Sequence, residues 1–424
     1  MLKWLSLITL LALAAGIVVG AIAGSSGDAG VIDTVTQVSH VGDLWLNLLR
    51  MTVIPLVFSL LVTGVASVAD AASSGKLAAR SLFVFGVLLV SATAFACVAF
   101  PAFLAFWPVD QTAAAKLVAD AGHDAVKAAS PPTLGEWLAA LAPGNAVAAA
   151  AEGAVLPLVV FAMFFGFAAT QLPAHQRQPM VAFFRAVADT MIIIVRWVLF
   201  VAPIGVFALA LGVGLITGID IAGLIAQYIV IVSIVTALIV PLAFLFAILW
   251  GRVSPGRFLN ATAPVLAVAI SSRSSLASLP LMVERTRDAM GVPQRVAGIV
   301  LPLAVAVFRM TSPVANLGVV FFCAAVLGVP LTPDKIVIGA FVAIAISIGS
   351  VGLPGEISFI ASVAPISMAM GVPIELLGIL VAVEAVPDIF RTVGNVSGDM
   401  AATVIAAKGQ PASPPEEAAV APPG

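Results

Sequence analysis

Two polar stretches that contain glycine or proline interrupt long apolar runs in the second half of this chain. They read ISSRSSLASLP at residues 270–280 and SIGSVGLPGEIS at residues 347–358. Hydrocarbon offers no hydrogen bonds, so an irregular backbone at membrane depth must be shielded by protein or line a cavity. Two interrupted segments in one half of a chain indicate the binding site of a membrane transporter. Two kinked but otherwise ordinary spanning helices are the alternative interpretation.

The composition also indicates a membrane protein. Of the 424 residues 62% are hydrophobic and 9% are charged, whereas soluble domains carry about 25% charged residues. The net charge of −2 gives no reason to expect a nucleic-acid partner. Cys97 and Cys323 lie in apolar runs, and the three histidines share no short motif with a carboxylate or thiol. We therefore expect no disulfide framework, no organic cofactor and no metal beyond a coupling sodium ion.

The apolar runs predict the spans, because about 20 apolar residues cross the hydrocarbon core of a bilayer. If both interrupted segments are re-entrant, the prediction is an all-α membrane protein with about eight transmembrane helices plus two re-entrant helical hairpins. The first run resembles a signal peptide but is long enough to span, so we interpret it as the first transmembrane helix, with cleavage as a signal peptide as the alternative. The runs lie near residues 4–23, 44–68, 81–107, 136–171, 181–213, 222–250, 258–283, 296–328, 336–370 and 373–406.

The lysines and arginines predict the orientation, since they favour cytoplasmic connections. On this basis both termini are cytoplasmic, residues 108–136 form an outer loop, and the tail 409–424 is disordered. Tryptophans near the predicted span ends are expected to form an interfacial belt: Trp4, Trp45, Trp107, Trp137 and Trp250. The residues assigned to the cytoplasmic side are Lys3, Lys76, Arg80, Arg177, Arg185, Arg252, Arg257, Arg285, Arg287, Arg295 and Lys408, against Lys116, Lys127 and Lys335 outside.

The last apolar run carries a stripe of polar and ionisable residues within VEAVPDIFRTVGNVSGD at residues 383–399. Their spacing of 4, 3, 4 and 4 residues places them on one face of a helix. Ionised groups are costly at the bilayer centre, so this face must meet protein, water or ligand. A ladder of ion pairs that holds the helices together is the structural alternative to a binding site. The stripe comprises Glu384, Asp388, Arg391, Asn395 and Asp399, with Thr392 beside it.

These motifs resemble the glutamate transporter family, the dicarboxylate/amino acid:cation symporters, over nearly the whole chain. RMTVIPLVFSLLVTGVASV (50–68) is similar to that family's second span and APIGVFAL (202–209) to its fifth. SSRSSLASLP (271–280) and GLPG (352–355) resemble its two hairpin tips, and DIFRTVGNVSGD (388–399) resembles its last span.

The resemblance implies a homotrimer in the cell (inner) membrane, with a central scaffold and transport domains that move as elevators. It implies scaffold helices at 1–72, the third span and outer loop at 73–135, and scaffold helices with the sixth span at 136–250. A transport core with both hairpins then occupies 251–408.

The resemblance also assigns roles to the last span. Arg391 corresponds to the arginine that binds the substrate's side-chain carboxylate, and Asp388 to the aspartate that binds its amino group. Asn395 and Thr392 correspond to polar substrate contacts, and Asp399 to a cation ligand. The substrate implied is an acidic amino acid or a C4-dicarboxylate.

Four hairpin residues are implied as further substrate contacts. They are the backbone of Ser274 and Ser275 in the first hairpin, and Leu353 and Pro354 at the tip of the second.

The seventh span departs from the family's NMDGT motif and reads RMTSP at residues 309–313. Arg309 stands for the asparagine, Thr311 for the aspartate and Pro313 for the threonine, so two sodium ligands and one substrate contact are altered. Pro387 is expected to kink the last helix just before Asp388.

Other departures fall on the third span and the hairpins. Phe85, Leu88 and Leu89 stand where the family has a tyrosine and a Thr-Ser pair. Leu276 replaces a third serine, and Glu356 replaces a small residue. Together with RMTSP, these changes put sodium coupling in doubt.

Arg309 is therefore predicted to act as a tethered cation in place of sodium, and to pair with Asp399 alone or with both Asp399 and Asp388. Asn395 and Thr311 are predicted members of the same cation site. Sodium would then act only through a remaining site, for example near Ser347 and Ser350. The alternative is that Arg309 rotates away and only packs, which leaves sodium bound by backbone carbonyl groups.

Protons are the other candidate coupling ion, with Glu356 or Glu384 as the titrating group. The alternatives to an acidic amino acid transporter are a proton-coupled dicarboxylate transporter and an anion channel lined by Arg50 or Arg196. An intramembrane enzyme built on SSRSS is not expected, since no histidine or lysine lies nearby in sequence.

Overall fold

The computed structural model describes residues 2–73, 75–110, 114, 142–218, 220–349 and 355–409, and these residues form helices and no strand. This confirms the predicted all-α class. The predicted outer loop and tail lie mostly outside the described residues. The helices are α1 (Leu2–Ser26), α2 (Ala29–Ser73), α3 (Lys76–Phe106), α4 (Ala146–Ala151), α5 (Val155–Thr170), α6 (Ala174–Phe200), α7 (Ala202–Thr217), α8 (Asp220–Ala237), α9 (Ile239–Leu249), α10 (Pro255–Ser272), α11 (Ser275–Asp288), α12 (Gln294–Val307), α13 (Ser312–Val326), α14 (Pro333–Gly349), α15 (Gly355–Ala369), α16 (Leu377–Leu380) and α17 (Ala385–Ala407).

Five helical segments within the described residues are long and apolar enough to cross a membrane. A sixth is added if α6 and α7, which are bent by 62°, count as one span. The other two predicted spans correspond to α5, which has 16 residues, and to α17, which carries several ionisable groups. The protein is thus an integral membrane protein, and the count of eight spans stays a prediction. The five segments are Leu7–Ser26, Ala29–Ala72, Lys76–Phe106, Ile221–Leu249 and Gln294–Val326.

Glycines bring α1 and α7 into close contact. A Cβ atom at Gly16 would lie 2.6 Å from the carbonyl oxygen of Phe207, and one at Gly20 would clash with that of Leu211. From the other side, a Cβ at Gly214 would clash with the carbonyl oxygen of Ile17. Helices in lipid gain stability from such close backbone packing at small residues. The first apolar run is therefore a packed helix of the fold.

The 45-residue helix α2 packs against α5, α6 and α7. Trp45 on α2 is 3% exposed, and its indole N–H donates to the carbonyl oxygen of Val198 at 2.9 Å. Its ring fills the space that the missing side chain of Gly205 leaves. The expectation that Trp45 belongs to an interfacial belt is therefore wrong, because α7 covers it.

Helix α17 lies at the centre of the second half of the chain. It contacts α3, α8, α9, α10, α11 and α12, and its residues from Asn395 to Ala406 are all buried. The first interrupted segment forms α10 and α11, which pack against each other across Arg273 and Ser274. The second forms α14 and α15, which also pack together. The domain boundaries proposed from the sequence stay a prediction, since α3, α8 and α9 also pack on α17.

Candidate functional site

The seventh apolar run is broken in the middle. Helix α12 ends at Val307, Phe308 is extended with φ −116° and ψ 117°, and α13 begins at Ser312. Pro313 lies in the first turn of α13, where a missing N–H costs no helical hydrogen bond. The motif RMTSP thus ends one half-helix and begins the next.

The break lies directly against α17. The backbone N–H and the hydroxyl of Thr311 donate to Asn395 Oδ1 at 3.0 and 2.8 Å, and the hydroxyl also donates to the carbonyl oxygen of Arg391 at 2.8 Å. A Cβ atom at Gly394 would clash with Thr311 Cγ2. These contacts satisfy polar groups of the break that lipid could not satisfy. Thr311 and Asn395, predicted members of one cation site, are thus brought together.

The stripe on α17 is buried, with Glu384, Asp388, Arg391, Asn395 and Asp399 each at most 8% exposed. The helix begins at Ala385, after a 3-10 turn at residues 381–383. Pro387 lies in the first turn of α17. The helical segment is therefore interrupted before Pro387, and the predicted kink next to Asp388 is not found in the described helix. The Pro387 ring excludes a helical carbonyl four residues earlier, in that 3-10 turn.

Arg391 has two protein partners within the described residues. Its Nη1 donates to Asn316 Oδ1 at 2.7 Å, and its Nε lies 2.8 Å from Glu384 Oε1. The second contact is an ion pair whose N–H does not point along the line to the oxygen, so it does not qualify as a hydrogen bond. The third nitrogen, Nη2, makes no hydrogen bond with the described residues. A buried guanidinium with an unused donor suits a carboxylate ligand.

The sequence did not identify two residues that complete this cluster. Tyr228 on α8, the only tyrosine in the chain, donates its hydroxyl hydrogen bond to Glu384 Oε2 at 2.9 Å. Asn316 on α13 accepts from Arg391 and lies 3.4 Å from Ser312 Oγ. The only indication in the sequence was that each is a polar residue in a largely apolar helix.

Arg309 lies within the break, and its guanidinium interacts electrostatically with Asp388, Asp399 and Arg391. Arg309 and Asp399 form no ion pair within the described part of the chain. Both oxygens of Asp399 lack a hydrogen-bond donor among the described residues, and the residue is 1% exposed. The structure therefore places Arg309 near both carboxylates, whereas the direct pairing with Asp399 stays a prediction.

The third-span residues that differ from the family pattern, Phe85, Leu88 and Leu89, form an apolar surface near the break between α12 and α13. The rings of Phe85 and Phe308 are stacked with centroids 4.7 Å apart and planes 9° apart. Leu88 is fully buried and Leu89 is 5% exposed. Phe85, Leu88 and Leu89 carry no side-chain oxygen for a cation.

The first hairpin tip is partly exposed. Arg273 adopts a left-handed conformation with φ 52°, and Ser274 caps α11 by accepting a hydrogen bond from the N–H of Ala277 at 3.2 Å. Ser275 is the first residue of α11, and Leu276 is exposed. Both predicted serines therefore lie at a helix N-terminus, a place where backbone N–H groups can bind an anion, although the N–H of Ser274 donates to Ser272 Oγ at 3.3 Å.

The second hairpin tip lies outside the described residues, together with Ser350, Leu353 and Pro354. The side chain of Glu356 is also outside the description. Ser347 is buried on α14, and its hydroxyl donates to the carbonyl oxygen of Ala343 at 2.7 Å.

The two arginines considered for a channel lie elsewhere. Arg50 on α2 forms an ion pair with Glu375 at 2.7 Å, and Arg196 is exposed on α6. Neither contacts the buried cluster around Arg391 within the described residues.

Comparison with known proteins agrees with this architecture. The model of the sodium:dicarboxylate symporter family matches residues 5–409. The chain is 29% identical to the proton/glutamate-aspartate symporter of Escherichia coli over 404 residues, which cover 94% of this chain and 91% of the relative. It is 26% identical to the proton/sodium-glutamate symport protein of Geobacillus stearothermophilus, covering 93% and 91%. It is also 29% identical to the human neutral amino acid transporter B(0), covering 93% and 78%. The chain therefore belongs to the sodium:dicarboxylate symporter family.

Proposed function

We propose that this protein is a secondary active transporter of an acidic amino acid, aspartate or glutamate, and that Arg391 binds the substrate's side-chain carboxylate. The observation that carries this proposal is the buried guanidinium of Arg391, whose Nη2 has no hydrogen-bond partner among the described residues. Arginine binds carboxylates through paired N–H groups in a fixed geometry. The Escherichia coli and Geobacillus relatives are named for glutamate transport.

Asp388 is the proposed partner of the substrate's ammonium group. It is buried one turn before Arg391, so a ligand that reaches both residues needs a positive and a negative group. Thr392 and Asn395 follow on the same helix, and the backbone N–H groups at Ser274 and Ser275 supply anion contacts from the first hairpin. Leu353 and Pro354 are proposed to close the site.

The charges around α17 bear on the coupling ion. Three carboxylates (Glu384, Asp388 and Asp399) face two guanidinium groups (Arg309 and Arg391), which leaves a formal charge of −1. An acidic amino acid adds a further negative charge, so a cation must accompany it through a low-dielectric core. Arg309 occupies the neighbourhood of the altered sodium ligands, which favours protons as the coupling ion and reduced or absent sodium coupling. Glu356 and Glu384 are the proposed proton carriers, with residual sodium binding near Ser347 and Ser350 as the alternative.

A second candidate function is proton-coupled transport of a C4-dicarboxylate. The electrostatic interaction between Arg309 and Arg391 favours it, because two neighbouring guanidinium groups attract a dianion. In this case Arg309 is a second carboxylate-binding residue rather than a substitute for sodium.

The assembly is part of the same proposal. A homotrimer in the cell membrane, with transport domains that move past a scaffold, is inferred from family membership. The cytoplasmic termini are inferred from the distribution of lysine and arginine. The close packing of α1 and α7 supports a rigid scaffold, and the dense packing around α17 supports a transport core.

Uptake into proteoliposomes tests the proposal. Wild-type protein should concentrate aspartate or glutamate, and Arg391→Cys should abolish this uptake, since removing one partner of a buried charged pair costs about 3–5 kcal/mol. Arg196→Cys, an exposed arginine on α6, is the matched control and should transport normally. Unchanged aspartate affinity in Arg391→Cys would refute the assignment of this residue.

A further inference from the structure

The guanidinium of Arg391 has two edges, each of which can bind a carboxylate through two N–H groups. On each edge, one of the two nitrogens already has a protein partner. Nε and Nη2 form one edge, and Glu384 Oε1 lies 2.8 Å from its Nε. Nη1 and Nη2 form the other edge, and Asn316 Oδ1 accepts from its Nη1 at 2.7 Å. A bidentate substrate carboxylate must therefore displace one of these two groups. Only Glu384 is ionisable, so only its release can depend on proton binding.

Tyr228 fixes Glu384 in this position. Its hydroxyl donates to Oε2 at 2.9 Å, which leaves Oε1 towards Arg391. Both Tyr228 and Glu384 are fully buried, and the tyrosine ring packs against Phe322 with centroids 5.4 Å apart. The phenol is thus anchored by packing, and Glu384 is positioned by a rigid donor.

We propose that Glu384 competes with the substrate's carboxylate for Arg391, and that it takes up one proton when substrate binds. Ionised, Glu384 holds the Nε edge, where a second carboxylate would be repelled. Protonated, it keeps the hydrogen bond from Tyr228 but loses its attraction to the guanidinium, which then turns to the substrate. This inference rests on the proposed function, because it takes Arg391 as the carboxylate-binding residue.

The titratable and charged groups around Glu384 come from several helices. Arg391 and Asp388 lie on its own helix, Tyr228 faces it from α8, and Cys323 on α13 interacts electrostatically with Tyr228. Glu356 belongs to α15, which packs against the 3-10 turn at residues 381–383 just before Glu384. The side chain of Glu356 lies outside the described part of the chain. Arg309, in the break before α13, interacts electrostatically with Arg391 and Asp388, while Glu384 is the carboxylate in direct contact with Arg391.

The expected pH dependence follows from this competition. Raising the pH keeps Glu384 ionised in the empty site, so aspartate binding weakens by up to about tenfold per pH unit, the limit for uptake of one proton. Glu384→Gln mimics the protonated form and should bind aspartate with an affinity that no longer changes with pH. Tyr228→Phe removes a donor to the ionised form and should move the loss of affinity to higher pH.

The experiment is aspartate binding to purified protein between pH 5 and 9, together with proton uptake measured by a dye inside proteoliposomes. Glu375→Gln, an exposed glutamate nine residues earlier, is the matched control and should keep the wild-type profile. A flat profile and one proton fewer per aspartate in Glu384→Gln are the supporting results. A wild-type profile in Glu384→Gln, or no pH dependence in the wild type, would overturn the inference.

Two further variants complete the design. If Glu384→Gln does not fold, Tyr228→Phe tests the inference instead. A pH profile of aspartate binding in Tyr228→Phe that matches the wild type would then overturn the inference. Unchanged aspartate affinity in Arg391→Cys would instead overturn the proposed function, so the two failures are distinguishable.

Discussion

Thr311 and Asn395, 84 residues apart in sequence, share two hydrogen bonds, because both the backbone N–H and the hydroxyl of Thr311 donate to Asn395 Oδ1. One residue of the broken seventh run is thereby joined to the polar face of α17. The hydroxyl also reaches the carbonyl oxygen of Arg391, so Thr311 supports the backbone that carries the proposed substrate-binding arginine.

Replacing Thr311 by valine should destabilise the protein and weaken substrate binding. Valine keeps the methyl group that contacts Gly394 but removes the hydroxyl, at a cost of about 1–3 kcal/mol for a buried group that loses its partner. Thermal unfolding in detergent and aspartate titration measure the two effects. Thr9→Val is the control, because Thr9 donates its hydroxyl to the carbonyl oxygen of Leu5 in the same helix. Equal behaviour of the two variants would show that the contact to α17 contributes little.

The sequence predicted the α17 stripe because helical periodicity alone places those residues on one face, and the structure buries that face. It did not predict the break at residues 308–311, since contacts with α17 stabilise an irregular backbone that the local pattern does not reveal. Tyr228 and Asn316 were missed for a similar reason. Their partners, Glu384 and Arg391, lie 156 and 75 residues away. Periodicity within one helix gives no information on which distant helix supplies a partner.

Aspartate should bind more tightly than succinate at neutral pH. The two ligands present similar carboxylates to Arg391, but aspartate adds an ammonium group that offsets the charge of Asp388. Isothermal titration with both ligands measures the difference, and Asp388→Asn should reduce it by weakening aspartate more than succinate. Tighter binding of succinate would show that Asp388 does not bind the ammonium group of the substrate, and it would favour the dicarboxylate transporter.

A large side chain at Gly20 should separate α1 from α7. The glycine lies against the carbonyl oxygen of Leu211, and overpacking of this kind typically costs about 1–3 kcal/mol. Gly20→Leu should therefore lower the midpoint of thermal unfolding while leaving the residues around Arg391 in place. Gly86→Leu is the control, because nothing lies within 4 Å of a Cβ at Gly86 on α3. A normal unfolding midpoint in Gly20→Leu would contradict the close packing of the two helices.

Removing the guanidinium of Arg309 should create a dependence on sodium that the wild type lacks. Arg309 interacts electrostatically with Asp388 and Asp399, and Asp399 has no hydrogen-bond donor among the described residues. A buried carboxylate needs a positive partner, and a tethered one cannot be released to either side of the membrane. The wild type should thus bind aspartate equally in sodium-free choline buffer and in saturating sodium. Arg309→Ala should lose binding in choline and recover part of it in sodium, as a diffusible cation replaces the lost one.

Arg196→Ala, which removes an exposed arginine far from these carboxylates in sequence, should behave as the wild type in both buffers. A tenfold or greater gain of wild-type affinity on adding sodium corresponds to about 1.4 kcal/mol of coupling. Such a gain would show that sodium still binds beside Arg309 and that the guanidinium does not replace it. Equal affinities in the wild type, combined with sodium dependence in Arg309→Ala alone, would establish that the chain carries its own cation at this position.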